Sequence, residues 1–155
     1  MAEAGGIFER PRKLTPGQLR AVADRRYDDA MCLLNSGENA RMNGAMYMGG
    51  FVVECLLKAM LLERHSNLQR PVDPAALSRT DHEAFVLLFG HALDEMLVFI
   101  PEVRAKLRFL KNADGRPLWP AFQAICEQWT VYARYSPRHA KVEDARRFLI
   151  TISEA

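Results

Sequence analysis

The chain has 155 residues, 49% of them hydrophobic and 26% charged, with a formal charge of +2. That is ordinary globular composition for one domain with a sizeable core, and it excludes a fibrous or disordered chain. So small a net charge does not imply wholesale nucleic-acid binding, leaving any electrostatic role to local clusters.

Residues 1–14 carry little periodicity and read as a mobile N-terminal arm ahead of a single domain over residues 15–155. Thr15-Pro16-Gly17-Gln18 is a capping box with proline at its first position. Leu19, Val22, Arg26, Ala30, Leu33 and Leu34 follow at helical spacing, and Gly37 is the stop. The second predicted helix runs from about Asn39 to Arg64 and is apolar on nearly every side between Ala45 and Leu62, as an element surrounded by others should be. The stretch from Met42 to Leu62 is long enough to raise the membrane question. Asn43, Glu54 and Lys58 interrupt it, so the expectation is a central helix of a bundle and no membrane span.

Residues 65–78 contain Pro71 and Pro74 and form the longest predicted loop, with one short turn after Asp73. Thr80-Asp81-His82-Glu83 reads as a second capping box opening a helix with Phe85, Leu88, Phe89, Ala92, Met96 and Leu97 on its buried stripe. Pro101 opens a short helix carrying Val103, Leu107 and Leu110, ended by Asn112 to Gly115. From Pro117, Leu118, Phe122, Ile125, Trp129 and Tyr132 form a seam at spacings of four and three. The last helix is expected to start after Ser136 and to bury Val142, Ala145, Leu149 and Ile152. No strand pattern, repeat or low-complexity tract is visible, which predicts an all-α bundle of about five to six helices.

Cys32, Cys55 and Cys126 are widely spaced inside apolar helical patterns, as buried thiols of a reducing cytosol would be. No basic segment leads into an apolar run at the N-terminus, so no secretory signal is expected and the localisation reads as cytoplasmic. His82 and His91 lie nine apart, too far for an i, i+4 metal pair, and neither metal nor cofactor is expected. His91 reads as a hydrogen-bonded packing residue and His65 as a solvated loop residue. Glu54 and Lys58 stand four apart, either as a structural ion pair or as part of a polar pocket.

The chemistry-bearing stretch is Arg134-Tyr135-Ser136-Pro137-Arg138-His139. Ser136 before Pro137 looks like an N-cap, placing Arg134 at the end of one helix and His139 in the first turn of the next. An arginine can grip a phosphate through two donors, and an imidazole titrating near neutrality can move a proton. The alternative is a helix-capping arginine and an incidental histidine. Basic residues cluster here (Arg138, Lys141, Arg146, Arg147) and near the N-terminus (Arg10, Arg12, Lys13, Arg20, Arg25, Arg26), as phosphate-facing surfaces or solvated faces.

In this Arg-x4-His motif, in the run AMYMGGFVVECLLKA at 45–59, in GHALDEML at 90–97, and in the placing of Trp119, Trp129 and Arg134-Tyr135, the chain resembles the HEPN family from about Gln18 onward. The branch it resembles is the one associated with nucleotidyltransferases. The resemblance implies an up-and-down helical bundle that forms a homodimer, often with Arg and His of both chains lining one cleft. It implies a metal-independent RNase of a toxin–antitoxin, defence or stress system, or a non-catalytic module binding a nucleotide or a nucleotidyltransferase partner. Carried onto this chain, Arg134 and His139 are the catalytic pair and RNA is the substrate. Tyr135, Arg138, Lys141, Glu54 and Lys58 are then the substrate-contacting or pocket-ordering residues. Two positions depart from the pattern. Tyr135 stands where the RNase motif usually has Asn, Asp or His, and Lys141 where nucleotidyltransferase-regulated toxins can carry tyrosine. A dimer is also expected because Phe122, Ile125, Trp129 and Tyr132, with the surface around Gly49 and Gly50, look like more apolar surface than one chain covers.

Overall fold

The computed structural model describes residues 14–129 and 140–155. Among them are seven α-helices, two short 3-10 turns, and no strand beyond an isolated bridge between Lys111 and Pro117. The class is all-α, with more helices than the five to six expected.

α1 (Pro16–Asn35) starts where its capping box predicts: the Gln18 backbone N–H donates to Thr15 Oγ1 (3.2 Å) and Thr15 N–H to Gln18 Oε1 (3.0 Å). Gly37, at φ 67°, takes the left-handed turn that a side chain would resist, and the chain reverses into α2 (Asn39–Arg64). The two run antiparallel. Arg20 near the start of α1 pairs with Glu63 near the end of α2 (2.6 Å), while Leu33 lies against Gly44 at the other end.

α2 is the axis of the molecule, as its apolar run predicts. By length and composition it could cross a membrane, but 61% of its most apolar window is buried against the rest of the chain. Two of its three glycines, Gly49 and Gly50, set its closest packing. A Cβ on Gly49 would come within 2.6 Å of Leu149 and 2.9 Å of Phe148 in α7 (Val142–Glu154), and one on Gly50 would overlap the Trp129 indole. The seam of α6 (Leu118–Gln128) is buried as expected through Leu118, Phe122, Ile125 and Trp129. This corrects the premise for a dimer drawn from these residues: the chain covers Phe122, Ile125, Trp129, Gly49 and Gly50 itself, and Tyr132 lies outside the described residues.

Several boundaries also differ from expectation. The third helix is two helices, α3 (Arg79–Phe89) and α4 (Leu93–Phe99). Gly90, a poor helix former, goes extended (ψ −174°) and ends α3, so the stripe does not continue and Phe89 is left 64% exposed. Ser78, not Thr80, caps α3, accepting from Asp81 N–H at 3.1 Å. α5 (Pro101–Leu107) stops before the loop in which Asn112 Oδ1 accepts from the N–H groups of Asp114 and Arg116. The last helix begins at Val142 with Lys141 as its extended N-cap residue; the placing of His139 lies outside the described residues. Cys55 and Cys126 are buried, but Cys32 is exposed on α1, a correction to the expectation of three buried thiols. The expected arm over residues 1–14 and the Ser136 cap fall outside the described residues, except for Leu14, which packs on a cluster of Leu62, Leu68, Ala84 and Leu88.

Candidate functional site

Arg134, Tyr135, Arg138 and His139 lie outside the described residues, but both ends of their segment are fixed. At one end Trp129, buried at the C-terminus of α6, sits on Gly50 with its ring 6.0 Å from that of Tyr47. At the other, the backbone N–H of Ala140 donates to Asn43 Oδ1 (2.7 Å) and that of Val142 to Asn39 Oδ1 (3.3 Å). Asn43, Tyr47, Gly50 and Glu54 follow one another at spacings of four, three and four, the repeat that lines one face of a helix. That face of α2 therefore anchors residue 129 and residue 140, the two flanks of the Arg-x4-His segment.

One turn beyond Gly50, Glu54 is a buried carboxylate, its side chain 3% exposed. Its Oε1 accepts from Lys58 Nζ at 2.7 Å and is 2.8 Å from His91 Nδ1, while Oε2 is buried and meets no donor among the described residues. The expected i, i+4 ion pair is thus present, and it has a third member that the sequence did not connect to it. The α3–α4 break at Gly90 turns His91 out of any helix and over α2. Its imidazole stays 57% exposed while Nδ1 points inward to Glu54, so the edge carrying Nε2 faces outward. The expectation of a hydrogen-bonded His91 holds, but the residue is not packed inside. The only sequence signal for its turn was Gly90 as a helix stop inside an otherwise continuous stripe.

His65 also differs from expectation. It is 11% exposed rather than solvated, its Nδ1 2.7 Å from Asp81 Oδ1 and its ring 5.7 Å from Phe99, joining the end of α2 to α3. That hydrogen bond, with a second from Asn67, holds the Asp81 carboxyl below the usual carboxylate range. Burial pushes the Cys55 thiol up to about 11 and that of Cys126 to about 12, which keeps both protonated at neutral pH.

The surroundings decide where a phosphate could sit. A cleft between α4, α5 and α6 presents Asp94, Glu95 and Glu127 against Arg104, whose guanidinium lies 5.8 Å over Trp119. Three carboxylates to one committed cation repel a polyanion. A groove of about 550 Å³ between α6 and α7 is nearer neutral, with Arg147 and Asp144 on its wall beside Gln128 and Ala140, on the two flanks of the motif segment. Lys141 is exposed at its N-cap position, and Arg146 is engaged by Glu143. Among the described residues no three His, Cys, Asp or Glu side chains converge as metal ligands. No protein-family model matches the chain, and no curated protein or solved structure is significantly similar to it.

Proposed function

We propose that this all-α protein is an endoribonuclease of the HEPN type that cuts RNA without a metal. The observation that carries the reading is the double anchoring of the Arg-x4-His segment, with Trp129 on Gly50 and Ala140 on Asn43, because catalytic groups gain most when their segment is held on a rigid element. In this reading the RNA 2′-hydroxyl attacks the adjacent phosphorus, leaving a 2′,3′-cyclic phosphate and a 5′-hydroxyl. His139 takes the hydroxyl proton, and the fork of Arg134 stabilises charge on the phosphorane. Tyr135, Arg138 and Lys141 contact the RNA, giving affinity with little sequence choice. The protein acts in the cytoplasm, as part of a toxin–antitoxin or defence system with a nucleotidyltransferase-fold partner.

The proposed homodimer rests on the apolar residues left outside the core, Val86 and Phe89 on α3 and Val98 on α4, and not on the α6 seam. The same exposed residues favour the second reading, a non-catalytic module that docks a partner protein.

The test is incubation of purified protein with end-labelled RNA in EDTA. Wild type should cut RNA but spare DNA and fully 2′-O-methylated RNA. His139→Ala should lose about 100- to 10,000-fold in rate, and Arg134→Lys should be strongly impaired because a point charge lacks the two-donor fork. His139→Ala cutting at the wild-type rate would overturn the assignment.

A further inference from the structure

The loop that joins α5 to α6, residues 108–117, carries Arg108, Lys111 and Arg116 against a single carboxylate, Asp114, and Lys106 stands just ahead of it in the last turn of α5. All four basic side chains are exposed, and among the described residues none of them is in an ion pair. Elsewhere on the surface Arg20, Arg41, Arg64 and Arg146 are each engaged by a glutamate. Beside the unpaired cations Phe109 is 73% exposed. We propose that this loop is a docking surface for single-stranded RNA, with its cations on phosphates and the Phe109 ring against one base; the choice of RNA rests on the ribonuclease reading above.

The loop holds its shape without a partner. Asn112 Oδ1 accepts from the N–H groups of Asp114 (3.0 Å) and Arg116 (2.8 Å), the Asn112 N–H donates to the Arg116 carbonyl (2.9 Å), and Gly115 takes a left-handed turn at φ 76°. Lys111 then bridges to Pro117, and the Leu118 N–H donates to the Leu110 carbonyl at 2.9 Å. A backbone fixed before binding loses little freedom on binding, which favours affinity. Phe109 is placed as well. The Arg108 guanidinium lies 4.5 Å over one face of its ring, and the exposure leaves the other face to solvent. An open aromatic face beside cations is what a single strand uses, since every base has a face to stack and every nucleotide a phosphate.

Charge sets this surface apart from its neighbours. Arg104 lies over Trp119 in the cleft of Asp94, Glu95 and Glu127 and is not counted in the patch, and Glu102 is already engaged by Arg64. An anionic membrane would answer the same cations, but it also needs an apolar face to insert. Leu110 is only 39% exposed, so the loop offers a nearly lone ring, enough to stack one base and too little to anchor in a bilayer. The loop leads into α6, whose other end carries Trp129 ahead of the Arg-x4-His segment; the helix between them rises about 16 Å at ~1.5 Å per residue. Docking on the loop is therefore separable from cleavage.

The experiment measures binding of a fluorescent 2′-O-methyl oligouridylate, single-stranded and closed to 2′-hydroxyl attack, by anisotropy over a range of salt. Phe109→Ala should weaken binding about 5- to 150-fold, the range for one base–aromatic stack, and leave the salt dependence as it is. Phe109→Leu keeps an apolar side chain without a stacking face and should lose affinity in the same way. Lys111→Gln with Arg116→Gln should weaken binding and make the slope of log affinity on log salt shallower by about 1.4, at ~0.7 per phosphate contact. Arg70→Gln with Arg79→Gln, an equal charge change on exposed residues outside the loop, should bind as wild type does. Every side chain changed is exposed, so circular dichroism should match wild type throughout. Wild-type affinity in either Phe109→Ala or the Lys111/Arg116 variant would overturn the proposal and leave the nuclease reading standing. So would tighter binding to phosphatidylserine vesicles than to RNA, preserved in Phe109→Leu. RNA binding lost in the loop variants, with no cleavage of RNA by wild type, would overturn the nuclease reading and leave the docking surface standing.

Discussion

Gly50→Ala adds a single methyl at the most crowded point of the molecule. The new Cβ would fall on Nε1, Cδ1 and Cε2 of Trp129, far inside the ~3.5 Å at which heavy atoms rest in contact. The indole is rigid and buried, so it must either shift with its neighbours or leave. A shift carries the usual overpacking cost of about 1–3 kcal/mol. Expulsion forfeits burial of roughly 150–250 Å² at about 25 cal/mol per Å², or about 4–6 kcal/mol. Alanine returns about 1 kcal/mol through helix propensity, so the net loss should lie between about 0 kcal/mol for a small shift and about 5 kcal/mol for expulsion. Gly17→Ala is the control. It sits on the exposed first turn of α1 with nothing within 4 Å, and it should stabilise by up to about 1 kcal/mol. Urea unfolding followed by circular dichroism measures both. The cost of Gly50→Ala should shrink when Trp129 is replaced by Leu, giving a coupling above about 1 kcal/mol for the pair. If both alanines shift stability in the same direction, Trp129 is not seated on α2 and the anchoring of the motif segment fails with it.

Beyond the RNA-cleavage experiment, two further outcomes are expected. Native protein at pH 8 should react rapidly with a thiol reagent at Cys32 alone, because Cys55 and Cys126 are buried with raised thiol values; denaturation should expose all three. Three fast thiols in the native state would contradict the burial. The hydrogen bond from His65 lowers the folded-state value of Asp81, so its stabilisation is present above the unfolded carboxylate range, near pH 4, and is lost as pH falls through the lower folded value. Asp81→Asn should therefore be less stable at pH 6 yet lose less on acidification, and unchanged acid sensitivity in urea titrations would refute this.

Much of the scaffold was legible because its signals are local. The Thr15–Gln18 box, the Gly37 turn, the all-round apolar character of α2 and the 118–122–125–129 seam each report contacts within one helix or one turn. The errors came where a long-range contact competes with local pattern. The stripe through Phe89 and Ala92 reads as one helix, but Gly90 lets the chain leave it and the gain on the far side is the His91 bond to Glu54, 37 residues away in sequence. His65 looked solvated for the same reason, since its partner Asp81 is 16 residues off. Apolar residues at helical spacing do not reveal which surface covers them, so the 122–125–129 seam suggested a dimer when α2 and α7 already bury it.

The buried Glu54–Lys58 pair is a costly choice for packing alone. Taking two charges out of water costs several kcal/mol each, and an apolar pair of similar volume is often equal or better for stability, so a purely structural solution at positions 54 and 58 would be two more leucines. α2 already supplies such residues on every other side, with Val52, Val53, Leu57, Leu61 and Leu62 all buried. What leucines cannot supply is an acceptor that dictates which nitrogen of an exposed imidazole carries the proton. Glu54 alone would provide the acceptor but would leave a charge buried without a cation. Lys58 one turn later offsets that charge from within the same rigid helix, leaving His91 to answer only to the carboxylate below it and to whatever meets Nε2 from outside.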